Sequence, residues 1–581
     1  MKGFNRFFLI PVLLVLLFAG CGGRQSYKPG TYTGKAEGIS GDDVVVEVTV
    51  DKSAIKEIKV VEHNESPGIS DAALSQIPKA IVDGQTLNVD VVSGATYSSE
   101  AVIAAVTAAL EEAGANIKKL ASAEKKKTDA ATSATEVINT DVVVVGAGGA
   151  GLAAALSAHE NGASVLVLEK MPVVGGNTNY ATGGLNAAET PYQKKKGIDD
   201  SVELFIQDTM KGGKNINNPE LVKVLASNSA GSVEWLTSLG GDFTDVGRMG
   251  GASVNRCHRP TGGAAAGNHL VQVLHAAVKE KGITVKTDCR VVKIMEEGGV
   301  IKGVMATSPA GNVTVMSKAV VIATGGFGAN NDMVAGFNPK LKGFGTTNHP
   351  GATGDALEFV KPLNVALVDI DKIQTHPTVV PVKNKMITEA VRGNGAILVN
   401  RNAERFISEL ETRDVVSAAE LKQEGGTSFL FFDQGVRESL KAIEKYVKAG
   451  LLTEGATIEE VAEKMKLDPA KLKATVDKYN GYVAAKSDPD FSRANMPRAL
   501  NNPPFYMVEV GPAVHHTMGG LKIDTEARVY NTSDEVIPGL FAAGEVSGGV
   551  HGGNRLGGNA LSDITTFGRI SGKSAAAFAA K

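Results

Sequence analysis

The stretch Asp141–Lys170, DVVVVGAGGAGLAAALSAHENGASVLVLEK, constrains the fold more than any other part of the chain. Asp141–Val145 is a short β-branched run of the kind that is buried on both faces of a parallel sheet. Gly146, Gly148 and Gly151 follow it as GxGxxG. In that pattern the first glycine permits a tight turn, the second lets backbone approach a pyrophosphate, and the third lets a helix pack on the strand. Leu152–Asn161 reads as an alanine-rich helix, whose N-terminal N–H groups and dipole then face the phosphates. Val165–Leu168 reads as a second strand, and Glu169 stands eighteen residues after Gly151, where an acid meets a ribose hydroxyl. Strand, glycines, helix, strand and acid in one unit predict an α/β dinucleotide-binding domain.

The length of 581 residues calls for several domains, and 43% hydrophobic residues is ample for large cores. A formal net charge of −3 gives no sign of a nucleic-acid partner. At the N-terminus, Lys2 and Arg6 precede the apolar run Phe7–Phe18, which is too short to span a bilayer comfortably. Ala19-Gly20-Cys21-Gly22-Gly23 then resembles a bacterial lipoprotein cleavage site, with Phe18 where Leu is usual. In such sites the thiol, here Cys21, is lipidated and becomes the mature N-terminus. An ordinary signal peptide or an uncleaved anchor are the alternatives, and each places the protein outside the cytoplasm. The other cysteines, Cys257 and Cys289, are too few and wrongly spaced for an iron–sulfur or zinc site, so no metal is expected. A Cys257–Cys289 disulfide and two buried free thiols both remain open.

Gln25–Gly34 reads as a polar tether, and residues 27–118 as a small first domain after a signal segment 1–21. Val44–Val50 and Ile55–Val61 alternate as strands do, and Ser98–Ala113 reads as a helix with Ser98 or Ser99 as cap. Between them, Asp90-Val-Val-Ser-Gly-Ala-Thr96-Tyr-Ser resembles the flavinylation motif of FMN-binding domains, including a subunit of the sodium-pumping quinone reductase. That resemblance implies FMN joined through its phosphate to Thr96 by a flavin transferase. Residues 119–136, within them Ala121–Thr135, read as a flexible linker. Residues 137–379 and 509–581 read as two parts of one FAD-binding domain. The strand readings there are Val285–Asp288, Val291–Met295, Ile301–Thr307, Ala319–Gly326 and Gly539–Glu545. Residues 380–508, with helices at Ile458–Lys466 and Leu472–Lys486, read as an inserted lid. The expected class is therefore α/β: a Rossmann-like FAD-binding domain with an inserted α+β capping domain, preceded by a small α+β FMN-binding domain. The candidate FAD contacts are Gly146, Ala147, Gly148, Gly149, Ala150, Gly151, Glu169, Lys170, Gly176, Asn177, Thr178, Gly183, Gly184, Thr324, Gly325, Asp355, Glu545, Asn559, Ala560 and Leu561.

Six runs carry a resemblance to a known family: Ser253-Val-Asn-Arg-Cys-His-Arg-Pro-Thr-Gly-Gly263, Gln374-Thr-His-Pro-Thr378, Thr388-Glu-Ala-Val-Arg-Gly393, Glu411-Thr-Arg-Asp414, His515-His-Thr-Met-Gly-Gly520 and Asn554-Arg-Leu-Gly-Gly-Asn559. From about Thr140 onward the chain resembles the soluble fumarate reductase flavoproteins of the flavocytochrome c group. Relatives of that group carry haem domains at the N-terminus, where this chain has the FMN-type domain. The resemblance implies that His376 and Thr388 bind one substrate carboxylate and His516 and Arg555 the other, with Met386 nearby. It implies that Arg413 protonates the substrate carbon and that Glu389 and Arg392 restore its proton. On residue type alone, Glu389 and Arg392 could equally be a helical ion pair, and His376 a buried turn histidine. His515 reads as structural or flavin-facing, and Arg256, His258, Arg259 and His551 carry no assignment. The implied activity is reduction of fumarate to succinate with electrons passed through FMN and FAD. The alternatives are another 2-enoate (urocanate, a cinnamate or another acrylate), the reverse oxidation, or a bare electron carrier. An extracytoplasmic, lipid-anchored address argues against soluble NADH and for a membrane quinol or membrane redox protein as donor.

Overall fold

A computed structural model of the chain describes residues 26–38, 41–65, 69–123 and 135–581. Cys21 and most of the linker segment Ala121–Thr135 lie outside the described residues.

The strand Thr135–Val145 runs through the middle of an eight-stranded sheet. Val143 pairs in parallel with Val320 of the strand Gly311–Ile322 on one side and with Leu166 of Val165–Leu168 on the other. Thr284–Lys286 extends the parallel sheet beyond Val165–Leu168, and Val536–Ala542 joins Gly311–Ile322 from the C-terminal end of the chain. Arg290–Glu297 and Val300–Ser308 add an antiparallel hairpin. Val142–Val145 are buried on both sides, which is why this stretch carries no alternation. The strand begins at Thr135, earlier than the apolar run, because Thr135–Thr140 pair with Asn312–Ser317 along a mostly exposed edge that needs no hydrophobic pattern. The helix Gly149–Glu160 follows, packed under the C-terminal helix Asn559–Ala579. A Cβ at Gly151 would stand 1.9 Å from the Gly146 carbonyl oxygen, so the helix can lie this close to the turn only with glycine there.

The small domain is a three-stranded antiparallel sheet, Gly30–Glu37, Asp43–Val50 and Ile55–Glu62, covered by the helices Asp71–Gly84, Thr96–Glu112 and Ile117–Ser122. Three expectations are corrected here. Gly30–Gly34 is strand and not tether: Gly30 pairs with Val50 and Gly34 with Val46, and the strand hides in the sequence because its side chains are mostly polar and exposed. Ser98 and Ser99 do not cap their helix. Thr96 is its first residue and Ala95 the cap, while Ser99 Oγ donates to the Ala95 carbonyl at 3.0 Å and accepts from Val92 N at 2.9 Å. The domain also runs past residue 118, since Leu120 is buried in its core and its carbonyl accepts from Thr86 Oγ1 at 2.7 Å.

The chain leaves the FAD-binding layers on the strand Ile373–Val380 and returns on Phe505–Thr517, which lie side by side in antiparallel pairing. Between them, Ile397–Val399, Ser428–Asp433 and Thr453–Gly455 complete a sheet with its own apolar core. Beneath that core lies a buried ionic cluster. The Glu409 carboxylate takes Arg405 at 2.8 Å and Arg493 at 2.9 Å, and Arg405 also reaches Asp488 at 2.9 Å. No helix among the described residues is long and apolar enough to cross a membrane, and no group among them is arranged to hold a metal ion.

Removing one partner of a buried ion pair strands the others without water. Glu409→Ala leaves two buried guanidiniums short of their shared acceptor, and a loss of about 3–5 kcal/mol is expected in chemical denaturation. A variant that unfolds at the wild-type midpoint would remove the cluster from the forces holding the cap.

Candidate active site

At the C-terminal ends of the parallel strands lies a cavity of about 840 Å³, part of it open to solvent. Its wall holds Gly146, Gly148, Gly149 and Ala150 from the first turn, Glu169 and Lys170 from the end of the second strand, and Gly176, Asn177, Thr178, Thr324, Gly325, Asp355 and Glu545. The helix Gly149–Glu160 points its N-terminus here with no acid in its first turn, an environment suited to a pyrophosphate. Glu169 is buried and accepts from Ala147 N at 2.7 Å and Met171 N at 2.8 Å. Burial raises its carboxyl above the ordinary range, and the two amides partly offset that. Lys170 pairs with Asp355 at 3.1 Å across the opening. Glycine turns, a helix N-terminus and a buried acid at the second strand fit an FAD held along this wall.

Seven sequence candidates stand off the wall. Ala147 spends its N–H on Glu169, and Gly151 serves helix packing. Gly183 and Gly184 lie against the strand Cys257–Arg259, where a Cβ at Gly184 would meet the His258 carbonyl at 2.3 Å. Asn559 turns its side chain to Asn186 and Thr209, and Ala560 and Leu561 follow it into the helix. Conversely, Cys289, Arg290 and His349 line the cavity without having been expected there, since Cys289 and His349 sit in loops and Arg290 at the start of a strand, none of them in a motif.

A second cluster forms where the cap strands meet the FAD-binding layers. Arg413, the first residue of the helix Arg413–Glu420, donates through Nε to Glu389 Oε2 at 2.9 Å and through Nη1 to Gln374 Oε1 at 3.1 Å. Arg555 Nη2 donates to the same Gln374 oxygen at 3.2 Å, so one amide bridges two guanidiniums. Gln374 is itself fixed by donating through Nε2 to Asn554 Oδ1 at 2.6 Å and to the Arg555 carbonyl at 2.8 Å. In the sequence Gln374 stands in the run Gln374–Thr378 with no role assigned to it. The other oxygen of Glu389 accepts from Gly250 N at 3.2 Å. Arg392 donates through Nη1 to the Glu409 carbonyl at 2.6 Å, while its Nε and Nη2 have no hydrogen-bond partner. Thr388 stands on the cap side, its N–H donating to Tyr446 Oη at 2.9 Å and its hydroxyl 3.5 Å from that of Thr182. Met386 belongs to the short strand Lys385–Met386, beside Val379.

His376 and His516 enter from the two crossing strands, both buried, with His376 Nε2 and His516 Nδ1 lacking partners. Burial first, and then the nearby arginines, push both rings well below the ordinary histidine range, so they are neutral at pH 7. His515 stands 5.2 Å from His376, ring to ring, and bonds Thr347 Oγ1 at 2.7 Å. Burial pushes Arg555 down to about 9, with the Arg413 charge adding to it. Burial alone would raise the Glu389 carboxyl, but Arg413 and Arg392 hold it below its ordinary range. Arg413 pairs directly with the ionised Glu389 and Arg392 adds its charge nearby, while Arg555 Nε also has no partner.

The unassigned residues resolve as structure. Arg256 is buried between Asp200 at 2.9 Å and Asp208 at 3.1 Å, and His258 bonds Thr190 at 2.7 Å. Arg259 pairs with Asp245 at 3.3 Å, and His551 with Asp563 at 3.1 Å. Cys257 and Cys289 are both free and buried, and burial pushes the Cys257 thiol up to about 12.

Residues 141–561 match the family model described as FAD binding domain, and residues 38–111 that described as FMN-binding domain. The chain is 51% identical over 460 residues to a fumarate reductase (cytochrome) of Shewanella frigidimarina, covering 79% of this chain and 81% of that one. It is 42% identical over 556 residues to an NADH:fumarate oxidoreductase of Klebsiella pneumoniae (strain 342), covering 95% of this chain and 59% of the relative. Among solved structures, the open conformation of a flavocytochrome c3 fumarate reductase superposes with a TM-score of 0.67 at 44% identity, over 76% of this chain and 79% of that one. The chain thus belongs to the fumarate reductase flavoprotein family: it is an FAD-binding oxidoreductase acting on carbon–carbon double bonds, with an FMN-binding domain ahead of its FAD-binding part.

Proposed function

We propose that this enzyme reduces fumarate to succinate, taking electrons through FMN carried on Thr96 and FAD held in the large cavity. The observation that carries the proposal is a convergence of positive charge with open donors: Arg413, Arg392 and Arg555 meet at the site, Arg413 is ion-paired there with Glu389 at 2.9 Å, and Arg392 Nε and Nη2 and Arg555 Nε have no hydrogen-bond partner. A small dianion offsets that charge, and its two carboxylates can satisfy the unpartnered His376 Nε2, His516 Nδ1 and Arg555 Nε. His376 and Thr388 would hold one end, and His516 and Arg555 the other, with Met386 against the carbon chain.

Bound FAD, once reduced, supplies the hydride for one alkene carbon. Arg413 sits between Glu389 and Gln374 with its guanidinium oriented by both, and donates the proton to the other carbon. Arginine is a weak acid, with a pKa above about 12, so the donor works only if reprotonated at once. Glu389, 2.9 Å from Arg413 Nε, takes a proton from the Arg392 side and passes it to the deprotonated Arg413, and the two guanidiniums keep it ionised between transfers. Between transfers the fixed charge of Arg413 stabilises the negative charge that develops on carbon. Thr96 opens a helix with its side chain exposed, which leaves it open to a flavin transferase. We place the protein on the extracytoplasmic face of the cell membrane, anchored by lipid on Cys21 and fed by a membrane quinol or membrane redox protein.

In a dye-linked screen of 2-enoates, fumarate should be turned over much faster than acrylate, cinnamate or urocanate, because a monocarboxylate leaves one set of buried donors unpaired. A preference for urocanate or an arylacrylate, with fumarate poor, overturns the substrate. Arg413→Ala should keep FAD and lower turnover by at least about 10²–10³; near-normal turnover would remove it as proton donor. Thr96→Ala should lose flavin fluorescence from the denatured band on a gel while dye-driven reduction survives, and a band that keeps its flavin places the attachment elsewhere. Cys21→Ala should move the protein off the membrane on fractionation, and unchanged attachment refutes the lipid anchor.

A further inference from the structure

The loop that carries Thr96 does not stand free of the rest of the molecule. Gly94, two residues before Thr96, lies against the FAD-binding layers with φ +87°, and a Cβ placed there would stand 2.4 Å from His349 Nε2. The Gly94 carbonyl accepts from Tyr180 Oη at 3.3 Å, and the Tyr180 and His349 rings are 5.4 Å apart. Val173 of the FAD-binding domain is 8% exposed and buried in the small domain's core, the cluster that holds Val92 and Ala95 on either side of Gly94. The cap grips the other side of the loop, with Lys385 Nζ 4.1 Å above the Tyr97 ring. Farther along the same domain, Asp42 faces Lys448 of the cap at 3.7 Å.

His349 is the residue that faces both ways. On one side its ring meets Gly94; on the other it lines the FAD cavity, with its backbone N–H donating to Asn177 Oδ1 at 2.6 Å. Asn177 lines the same cavity and donates to Glu545 at 3.2 Å.

We propose that Val173, Tyr180, His349 and Lys385 form a dedicated docking surface for the Thr96 loop, holding the small domain's flavin against the FAD site so that electrons cross directly within one chain. The contact is shaped for backbone, since only glycine at 94 permits it. Burial, and then the Lys170 charge, push the His349 ring down to about 4, so a neutral imidazole faces both sites. The transfer it serves is balanced: two electrons leave reduced FMN with the release of two protons, and FAD takes up two electrons and two protons. The proposal rests on Thr96 as the FMN site, and the test keeps the two ideas apart.

Val173→Glu places a charge inside the docked interface, and Tyr180→Ala with Lys385→Glu loosens it by a milder route. None of these residues is part of the FAD cavity wall or the substrate cluster. With both flavins present, dye-driven fumarate reduction should be unchanged, while electron transfer from FMN to FAD in stopped flow should slow by about 10²-fold or more as docking gives way to tethering alone. Small-angle scattering should show a compact wild-type particle that expands in the variants. Scattering is also measured on the Thr96→Ala chain. A compact particle that expands on adding Val173→Glu supports the docking surface even if the flavin is attached elsewhere. An unaltered transfer rate in both flavin-loaded variants, or an expanded particle without any interface substitution, overturns it.

Discussion

The Arg413–Glu389 ion pair is the interaction on which the cluster between the cap and the FAD-binding layers depends. Both partners are largely buried, 2.9 Å apart, and Glu389 stays ionised only because guanidiniums surround it. Were Glu389 neutral at rest, it could not accept a proton from one arginine to pass to the next, and Arg413 would face Arg555 across Gln374 without its ion-pair partner. The two arginines come from segments about 140 residues apart, one in the cap and one after the return to the FAD-binding domain. Gln374, on the outgoing strand, bonds both. The substrate cluster therefore exists only when cap and FAD-binding layers are in register.

Electrostatics also divides the labour among the histidines. In water a histidine beside a dicarboxylate would charge. Here burial, then Arg413 and Arg555 for all three rings and Arg392 as well for His376, keep His376, His515 and His516 neutral, so they are directional hydrogen-bonding groups and the charge is left to arginine. The FAD cavity is built on the opposite principle, from backbone turns, a helix N-terminus and a buried acid.

Much of this was legible in the sequence, and the exceptions have physical causes. The strand Val165–Leu168 and the glycine turn declare themselves because a buried parallel strand must be apolar and a tight phosphate turn must be glycine. Gly30–Glu37 did not, because its side chains are polar and exposed and its order comes from backbone pairing. His349 and Arg290 were missed as cavity residues because position in space, not any local pattern, brings them there. Gln374 was visible as part of a run, but its bridging role depends on two partners far away in the chain. Gly183, Gly184 and Asn559 read as flavin contacts because glycine and asparagine mark close approach, and in the structure they lie beside the cavity wall, packed closely on other protein segments.

The paired strands Ile373–Val380 and Phe505–Thr517 give the cap adjacent entry and exit points, with Gln374 directly opposite His516. An insertion whose ends already touch can be lengthened, shortened or replaced without changing the order of strands in the parallel sheet. Of the residues in the proposed substrate pocket, Thr388 hangs on that module and Arg555 stays with the FAD-binding framework. A scaffold joined in this way is open to grafting: a new cap can be offered to an unchanged redox engine, and the geometry that must be preserved in the exchange is confined to a few rungs of one antiparallel ladder.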